Sequence, residues 1–327
     1  MAILAVGDEP EFFNNFFTGN THTVAKDRGQ RGGVAGDTDG TTRWELNFTA
    51  QSEVWLRFWC FYSSNNVSTT NPMFELWNST NSRAVFQWMS SANNRTNMRF
   101  RYLSTAPSTF TTITDLEMPI SQTPGNDIVI YFKRGSSGVL KVWISGFLIY
   151  SGTGNYATVD TTFDRFRWYA PSAAANWGGG FIIADENLVG FEMDHLSPSG
   201  AGNYAGWTGS AANLADATGA PAVDTATDIN TNATAQRSTF AYDNMQTLGA
   251  GREIVGVDVA ARGILEAGST PTTCTLVSRL AGTDYSHASF GFGAAAANNS
   301  QWFALDPTGA AWTEANVNGI EYGALSG

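Results

Sequence analysis

Apolar and polar residues alternate at a period of two along much of this chain, and the helical period is scarce. Period two marks a strand with one buried face. Trp44, Leu46 and Phe48 share a face of one such segment. Val54, Leu56, Phe58 and Cys60 share a face of the next, with Trp55, Arg57 and Trp59 opposite. Met98, Phe100 and Tyr102 alternate with Arg99 and Arg101, and Ile128, Ile130 and Phe132 repeat the pattern. Further strands are predicted at Phe74–Trp77, Ala84–Met89, Arg165–Tyr169 and Phe181–Ala184.

The run Asp127–Lys133, the loop Arg134-Gly135-Ser136-Ser137-Gly138 and the run Val139–Ile144 read as a hairpin. Ser145-Gly146 turns the chain again into Phe147–Tyr150, giving a three-stranded meander. The second part opens with a strand-like Leu188–His195. A stretch rich in Ala, Gly, Thr, Asn and Asp, Ser197 to Thr239, reads as long loops with short strands. Strands return at Ile254–Arg262, Cys274–Leu280 and Ser300–Ala304. The expected fold is all-β, with two antiparallel β-sandwich, jelly-roll-like domains. Residues 1–40 are expected to form an arm leading into the first domain, 41–185 the first jelly roll, and 186–327 a smaller acidic sandwich.

Charge sharpens that division. The net charge is −11, yet residues 1–180 hold 14 Lys+Arg against 14 Asp+Glu, and residues 181–327 hold 4 against 15. An acidic second part disfavours nucleic acid and anionic lipid, which require a basic surface. No apolar run approaches the roughly 18 residues of a membrane helix, so no membrane insertion is expected. The short apolar Met1–Gly7 lacks the form of a signal peptide. Cys60 and Cys274 fall in different predicted domains, within apolar runs, and read as buried thiols.

Catalytic signals are sparse. His22, His195 and His287 lack metal-ligand spacing, and no zinc site is expected. There is no nucleophile elbow and no phosphate-binding loop. Asp37-Thr38-Asp39-Gly40 resembles a fragment of a calcium loop, but no acid follows at the spacing required. Asp37 and Asp39 are therefore weak calcium candidates beside a plain Asp–Gly turn, and no other cofactor is expected. On a strand, Glu192 and Asp194 would share a face, as the carboxylates of sandwich glycoside hydrolases do. The third position of that pattern is Ser197, so catalysis is not expected. Aromatics offer the stronger signal. Trp55 and Trp59 lie opposite Leu56 and Phe58, and Phe86 and Trp88 opposite Val85 and Met89. Trp55, Trp59, Phe86 and Trp88 are therefore candidates for stacking on sugar rings; core packing or a subunit interface is the competing reading.

Asp127–Phe132 followed by Ser137–Gly146 resembles the strand, turn and G-x-L-x-V-[YW]-x-[ND]-G hairpin of laminin-G/concanavalin-A-like jelly rolls, with Ser145 in place of Asn or Asp. Phe181–Glu186, Gly200–Asn203 with Trp207-Thr208, Asp306–Thr313 and Val317–Gly323 resemble virion proteins of tailed bacteriophages and gene transfer agents. That resemblance implies a virion component (tail fibre, baseplate, head fibre or decoration), assembled in the bacterial cytoplasm. It implies a homo-oligomer with other virion proteins as partners and host-surface polysaccharide as a ligand, and it brings no catalytic residues.

Overall fold

The computed structural model describes residues 3–7, 15–17, 34–35, 43–62, 72–90, 97–105, 109–117, 126–157, 159–169, 176–194, 196–214, 229–294 and 297–327. Asp37 and Asp39 lie outside them. The chain divides into two compact units, Met1–Met193 and Asp194–Gly327.

The first unit is a sandwich of two seven-stranded antiparallel sheets, with strands numbered in chain order. One sheet runs β1 (Ile3–Gly7), β14 (Asn176–Ala184), β5 (Glu53–Tyr62), β10 (Asn126–Lys133), β11 (Gly135–Ile144), β12 (Phe147–Tyr156), with β3 (Val34–Ala35) also on β14. The other runs β2 (Asn15–Phe17), β4 (Arg43–Gln51), β13 (Phe163–Tyr169), β6 (Pro72–Asn78), β7 (Arg83–Ser90), β8 (Asn97–Thr105), β9 (Thr109–Glu117). The three described pieces of the expected arm are thus strands of the sandwich itself.

Rings fill the space between the sheets. Phe58 of β5 meets Phe74, Trp88 and Trp168 of the facing sheet at centroid distances of 5.9, 5.8 and 5.3 Å. Phe86 stacks on Phe132 at 4.0 Å. Burial of so much aromatic surface dominates the stability of the unit. The meander forms as its sequence predicts. Ile144 pairs with Phe147 across a two-residue turn, in which Ser145 has φ 47° and Gly146 φ 83°. A hairpin turn with both central residues at positive φ matches the strand twist, and it explains why Asn or Asp usually stands where Ser145 does.

The second unit has a five-stranded antiparallel sheet, β15 (Pro198–Ala205), β16 (Arg237–Tyr242), β21 (Glu321–Ser326), β18 (Thr273–Leu280), β19 (Thr283–Gly291), and a ribbon of β17 (Val257–Gly263) with β20 (Ala297–Phe303). Two short helices, α1 (Ala211–Leu214) and α2 (Glu314–Gly319), are present among the described residues. Val259 of the ribbon packs with Leu276, Leu280 and Tyr322 of the sheet and with Trp312, Val317 and Ile320. The Asp306–Thr313 segment builds that core. The Asp306 carboxylate accepts from Thr308 N at 2.9 Å, Ala310 N at 3.1 Å and Asn316 Nδ2 at 2.6 Å, and Trp312 Nε1 donates to Phe303 O.

Leu188–His195, predicted as a strand opening the second domain, is irregular over its described residues. Leu188 instead joins Val129, Ile182 and Ala184 in a small core on the outer face of the first sheet, with Phe191 and Met193 against it. Both cysteines are buried free thiols. Burial raises the Cys60 thiol far above its usual range and pushes Cys274 up to about 12, so neither is reactive.

Candidate functional site

The four aromatic candidates separate on folding. Trp55 does lie on the outer face of its sheet, stacked on Tyr131 at 4.7 Å and tilted against Trp143 at 5.2 Å. Like Phe191 and Met193, it packs against the small core of Val129, Ile182, Ala184 and Leu188. Trp59 is 5% exposed. Between them, buried Arg57 holds its Nε 2.7 Å from Asp127 Oδ1 and donates through Nη1 to Gly180 O. Burial raises the Asp127 carboxyl, with Arg57 opposing that rise. The chain itself thus covers much of this face. Phe86 and Trp88 are both 0% exposed, and they point between the sheets rather than outward. Phe86 and Trp88 are therefore core rings and not sugar-stacking residues, as the competing reading has it. Only the space between two sheets accommodates rings of that size in contact with Phe74, Phe100 and Phe132.

The carboxylate reading is also corrected. Glu192 and Asp194 sit in irregular backbone, so strand alternation does not place them on one face. Asp194 Oδ2 accepts from Gln246 N at 2.8 Å. Ser278 and His287 form a 2.7 Å hydrogen bond, but Ser278 is buried and cannot meet a substrate. No group of three or more His, Cys, Asp and Glu residues able to hold a metal occurs among the described residues. The second unit has a cleft of about 300 Å³ beside α1, lined by Tyr204, Trp207 and Phe240 among small residues.

The outer face of the second sheet carries a more organised constellation. Glu45 of β4 pairs in register with Arg167 of β13, Arg167 with Glu75 of β6, and Glu75 with Gln87 of β7. Gln87 pairs with Arg101 of β8, and Arg101 with Thr112 of β9. One polar residue per strand forms a row across six strands. At ~4.8 Å between strands the row extends over roughly 24 Å.

Side-chain contacts link three of the five steps. Arg167 Nε lies 2.5 Å from Glu45 Oε1, and Arg165 Nη1 lies 3.0 Å from Glu45 Oε2. The Arg167 guanidinium lies over the Trp77 ring, its carbon 3.6 Å from the centroid. Tyr169 Oη donates to Glu75 Oε2 at 2.6 Å, and Gln87 Nε2 donates to Glu75 Oε1. Arg101 Nε donates to Gln87 Oε1 at 2.7 Å, with its guanidinium over Phe110 at 4.7 Å. Beside it, Arg99 forks onto Asp115 through bonds of 2.8 and 2.9 Å.

The electrostatics set this face apart from an ordinary solvated one. Glu45 is 0% exposed and Glu75 4% exposed, although both lie on the outside of the sheet. Burying carboxylates is costly, and apolar residues of similar volume would stabilise a sheet at least as well. Burial raises the Glu75 carboxyl above its usual range, against the hydrogen bonds from Tyr169 and Gln87 and the charges of Arg167 and Arg101. Burial likewise lowers Arg101. Glu45, Glu75 and Gln87 form a fixed floor, and the partly exposed Trp77, Arg101, Phe110, Arg165 and Tyr169 stand over it. Such a surface offers fixed donors and ring faces to a long polar ligand.

In the sequence Arg99 and Arg101 alternate with Met98, Phe100 and Tyr102, but the row itself is not apparent there. Each member occupies the polar phase of its own strand. The signal available was that β4, β6, β7, β8 and β13 all carry a charged or amide group at that phase. Strand order, which one sequence does not provide, brings them side by side.

No protein-family model and no curated protein sequence matches the chain. Several solved structures are similar to it in backbone path at low identity. An endo-β-1,4-glucuronan lyase from the fungus Trichoderma reesei is 11% identical with a TM-score of 0.46, over 57% of this chain and 98% of that one. A double mutant of the alginate lyase Aly36B, in complex with alginate tetrasaccharide, is 11% identical with a TM-score of 0.38, over 58% and 95%. The botulinum neurotoxin serotype D binding domain is 10% identical with a TM-score of 0.39, over 57% and 48%.

Proposed function

We propose that this protein is a carbohydrate-binding component of a phage-type virion, and that it holds a polysaccharide along the outer face of the second sheet without cleaving it. The observation that carries the binding reading is the row Glu45–Arg167–Glu75–Gln87–Arg101, in register across neighbouring strands. Its length suits a polymer better than a small metabolite. Trp77, Phe110 and Tyr169 supply rings for stacking, and the partly exposed Arg101 and Arg165 supply donors for hydroxyl groups. A non-catalytic role is supported by the state of the acids. Both Glu75 oxygens already accept hydrogen bonds and Glu45 bridges two arginines, so neither is available as a base.

The virion assignment is supported by the resemblance of Phe181–Glu186, Asp306–Thr313 and Val317–Gly323 to tailed-phage proteins. Self-association with a second copy of the chain is supported by the exposed Phe147 and Leu148 at the tip of the β11–β12 hairpin.

Affinity electrophoresis through gels containing extracted bacterial surface polysaccharides tests the binding reading. Retardation by a polysaccharide, lost on Trp77→Ala in a variant of unchanged circular dichroism, is the expected result. Wild-type mobility unaffected by every polysaccharide in a host-range panel would overturn it.

A further inference from the structure

Arg99, Arg101, Arg165 and Arg167 stand on the outer face of the second sheet, and three of these four have acid partners among the described residues. Arg165 and Arg167 share Glu45, and Arg99 forks onto Asp115. Arg101 differs. Its Nε is committed to Gln87 and its guanidinium carbon lies over the Phe110 ring, 4.7 Å from the centroid. Neither Nη atom has a hydrogen-bond or ion-pair partner among the described residues. The nearest carboxylate in the row, Glu75, is reached only through the Gln87 amide, and its two oxygens are taken by Tyr169 and Gln87. Arg99 adds a second positive charge next along the strand, and it opposes the charge on Arg101.

A half-buried guanidinium held by a ring and an amide, with its two terminal nitrogens free, is a preorganised fork. That fork matches the two oxygens of a carboxylate, and such pairs are directional and strong. The ring beneath and the bond at Nε remove most of the side-chain freedom that binding would otherwise have to freeze.

Resting on the carbohydrate reading above, we propose that the polysaccharide is an acidic one and that Arg101 binds a carboxylate of one of its sugar residues through both Nη groups. Neighbouring sugars then stack over Phe110 on one side and reach Tyr169 and Trp77 on the other. Arg101 is on this account the residue that selects acidic polymers over neutral ones of the same backbone.

The test compares one retained polysaccharide before and after chemical reduction of its carboxyl groups to primary alcohols, using the full chain. Affinity is measured by biolayer interferometry for the wild type, Arg101→Gln and Arg101→Lys. Wild type is expected to bind the native polymer at least about tenfold more tightly than the reduced one, the range for hydrogen bonds to a charged group. Arg101→Gln is expected to lose that preference, binding native and reduced polymer with affinities within about twofold of each other. Arg101→Lys, which keeps the charge and loses the fork, is expected to fall between them. Equal wild-type affinity for native and reduced polymer, or retention only of polysaccharides without acidic sugars, would overturn the inference and leave the carbohydrate reading standing. Absence of binding to any polysaccharide would overturn both.

Discussion

Replacing Glu45 by leucine should destabilise the first unit sharply, and replacing its partner as well should restore it. The Glu45 carboxylate is fully buried and lies 2.5 Å from Arg167 Nε and 3.0 Å from Arg165 Nη1. Arg167 is itself buried, pressed over Trp77. Glu45→Leu leaves that guanidinium without its acid, and breaking a buried pair from one side costs about 3–5 kcal/mol. Glu75 still offers Arg167 some attraction, so about 3 kcal/mol is the expected loss. Replacing a whole buried pair by apolar residues is commonly neutral or better. Glu45→Leu with Arg167→Met is therefore expected to return to within about 1 kcal/mol of the wild type. Urea unfolding followed by tryptophan fluorescence suits the measurement, because eight of the eleven Trp residues lie within the first 180 positions. The midpoint should move without a change in slope. A single variant within about 0.5 kcal/mol of the wild type, or a double variant no more stable than the single, would refute the reasoning. The double variant should also bind polysaccharide poorly, which separates the function of the row from its contribution to stability.

The packing and the second unit give three further expectations. Trp88→Ala should cost about 3–5 kcal/mol by urea unfolding, as for any large core ring, whereas a solvent-facing Trp88 would cost under about 1 kcal/mol. Asp258 has its carboxyl pushed up to about 7 by burial; an acid raised on folding contributes most below its unfolded value and loses that contribution as pH rises through about 7. Asp258→Asn should therefore flatten the decline in stability of the second unit between about pH 4 and 7, read from the fluorescence of Trp302 in register with it; an unchanged decline would count against a buried carboxyl. At Gly323 an added Cβ would stand 1.9 Å from Ser238 O, so Gly323→Ala should disrupt the pairing of β21 with β16 and expose the second unit to limited proteolysis; a protease-resistant variant would mean that the strands do not approach so closely.

Much of the sandwich was legible in the sequence because its strands alternate cleanly. Leu56, Phe58, Ile128, Ile130 and Phe132 all face the core as their periodicity requires. Trp55 was rightly placed opposite them. In β7 the alternation Val85–Phe86–Gln87–Trp88–Met89 offers apolar residues in both phases, so periodicity leaves both the sugar-stacking and the core reading of Phe86 and Trp88 open. Size resolves that choice in the fold, since the larger rings take the larger space between sheets. Pro198–Ala205 falls in the stretch read as long loops with short strands, and Thr283–Gly291 carries no strand assignment from the sequence, because both are half-exposed strands rich in small residues with little apolar contrast. Leu188–Met193 misled in the opposite sense. Its apolar spacing mimics a strand, yet these residues pack as an irregular cover over Val129 and Ile182. The outward row was beyond reach for a different reason. Glu45 and Arg167 are 122 residues apart in sequence, and only strand order and register make them neighbours.

Hydrogen exchange followed by mass spectrometry, with and without a saturating acidic surface polysaccharide, tests the binding face most directly. The account expects added protection in the peptides covering Phe74–Trp77, Gln87, Arg99–Tyr102 and Arg165–Tyr169, with the β10–β11 hairpin and the second unit unchanged. Protection concentrated around Trp55, Tyr131 and Trp143, or confined to the second unit, would contradict it.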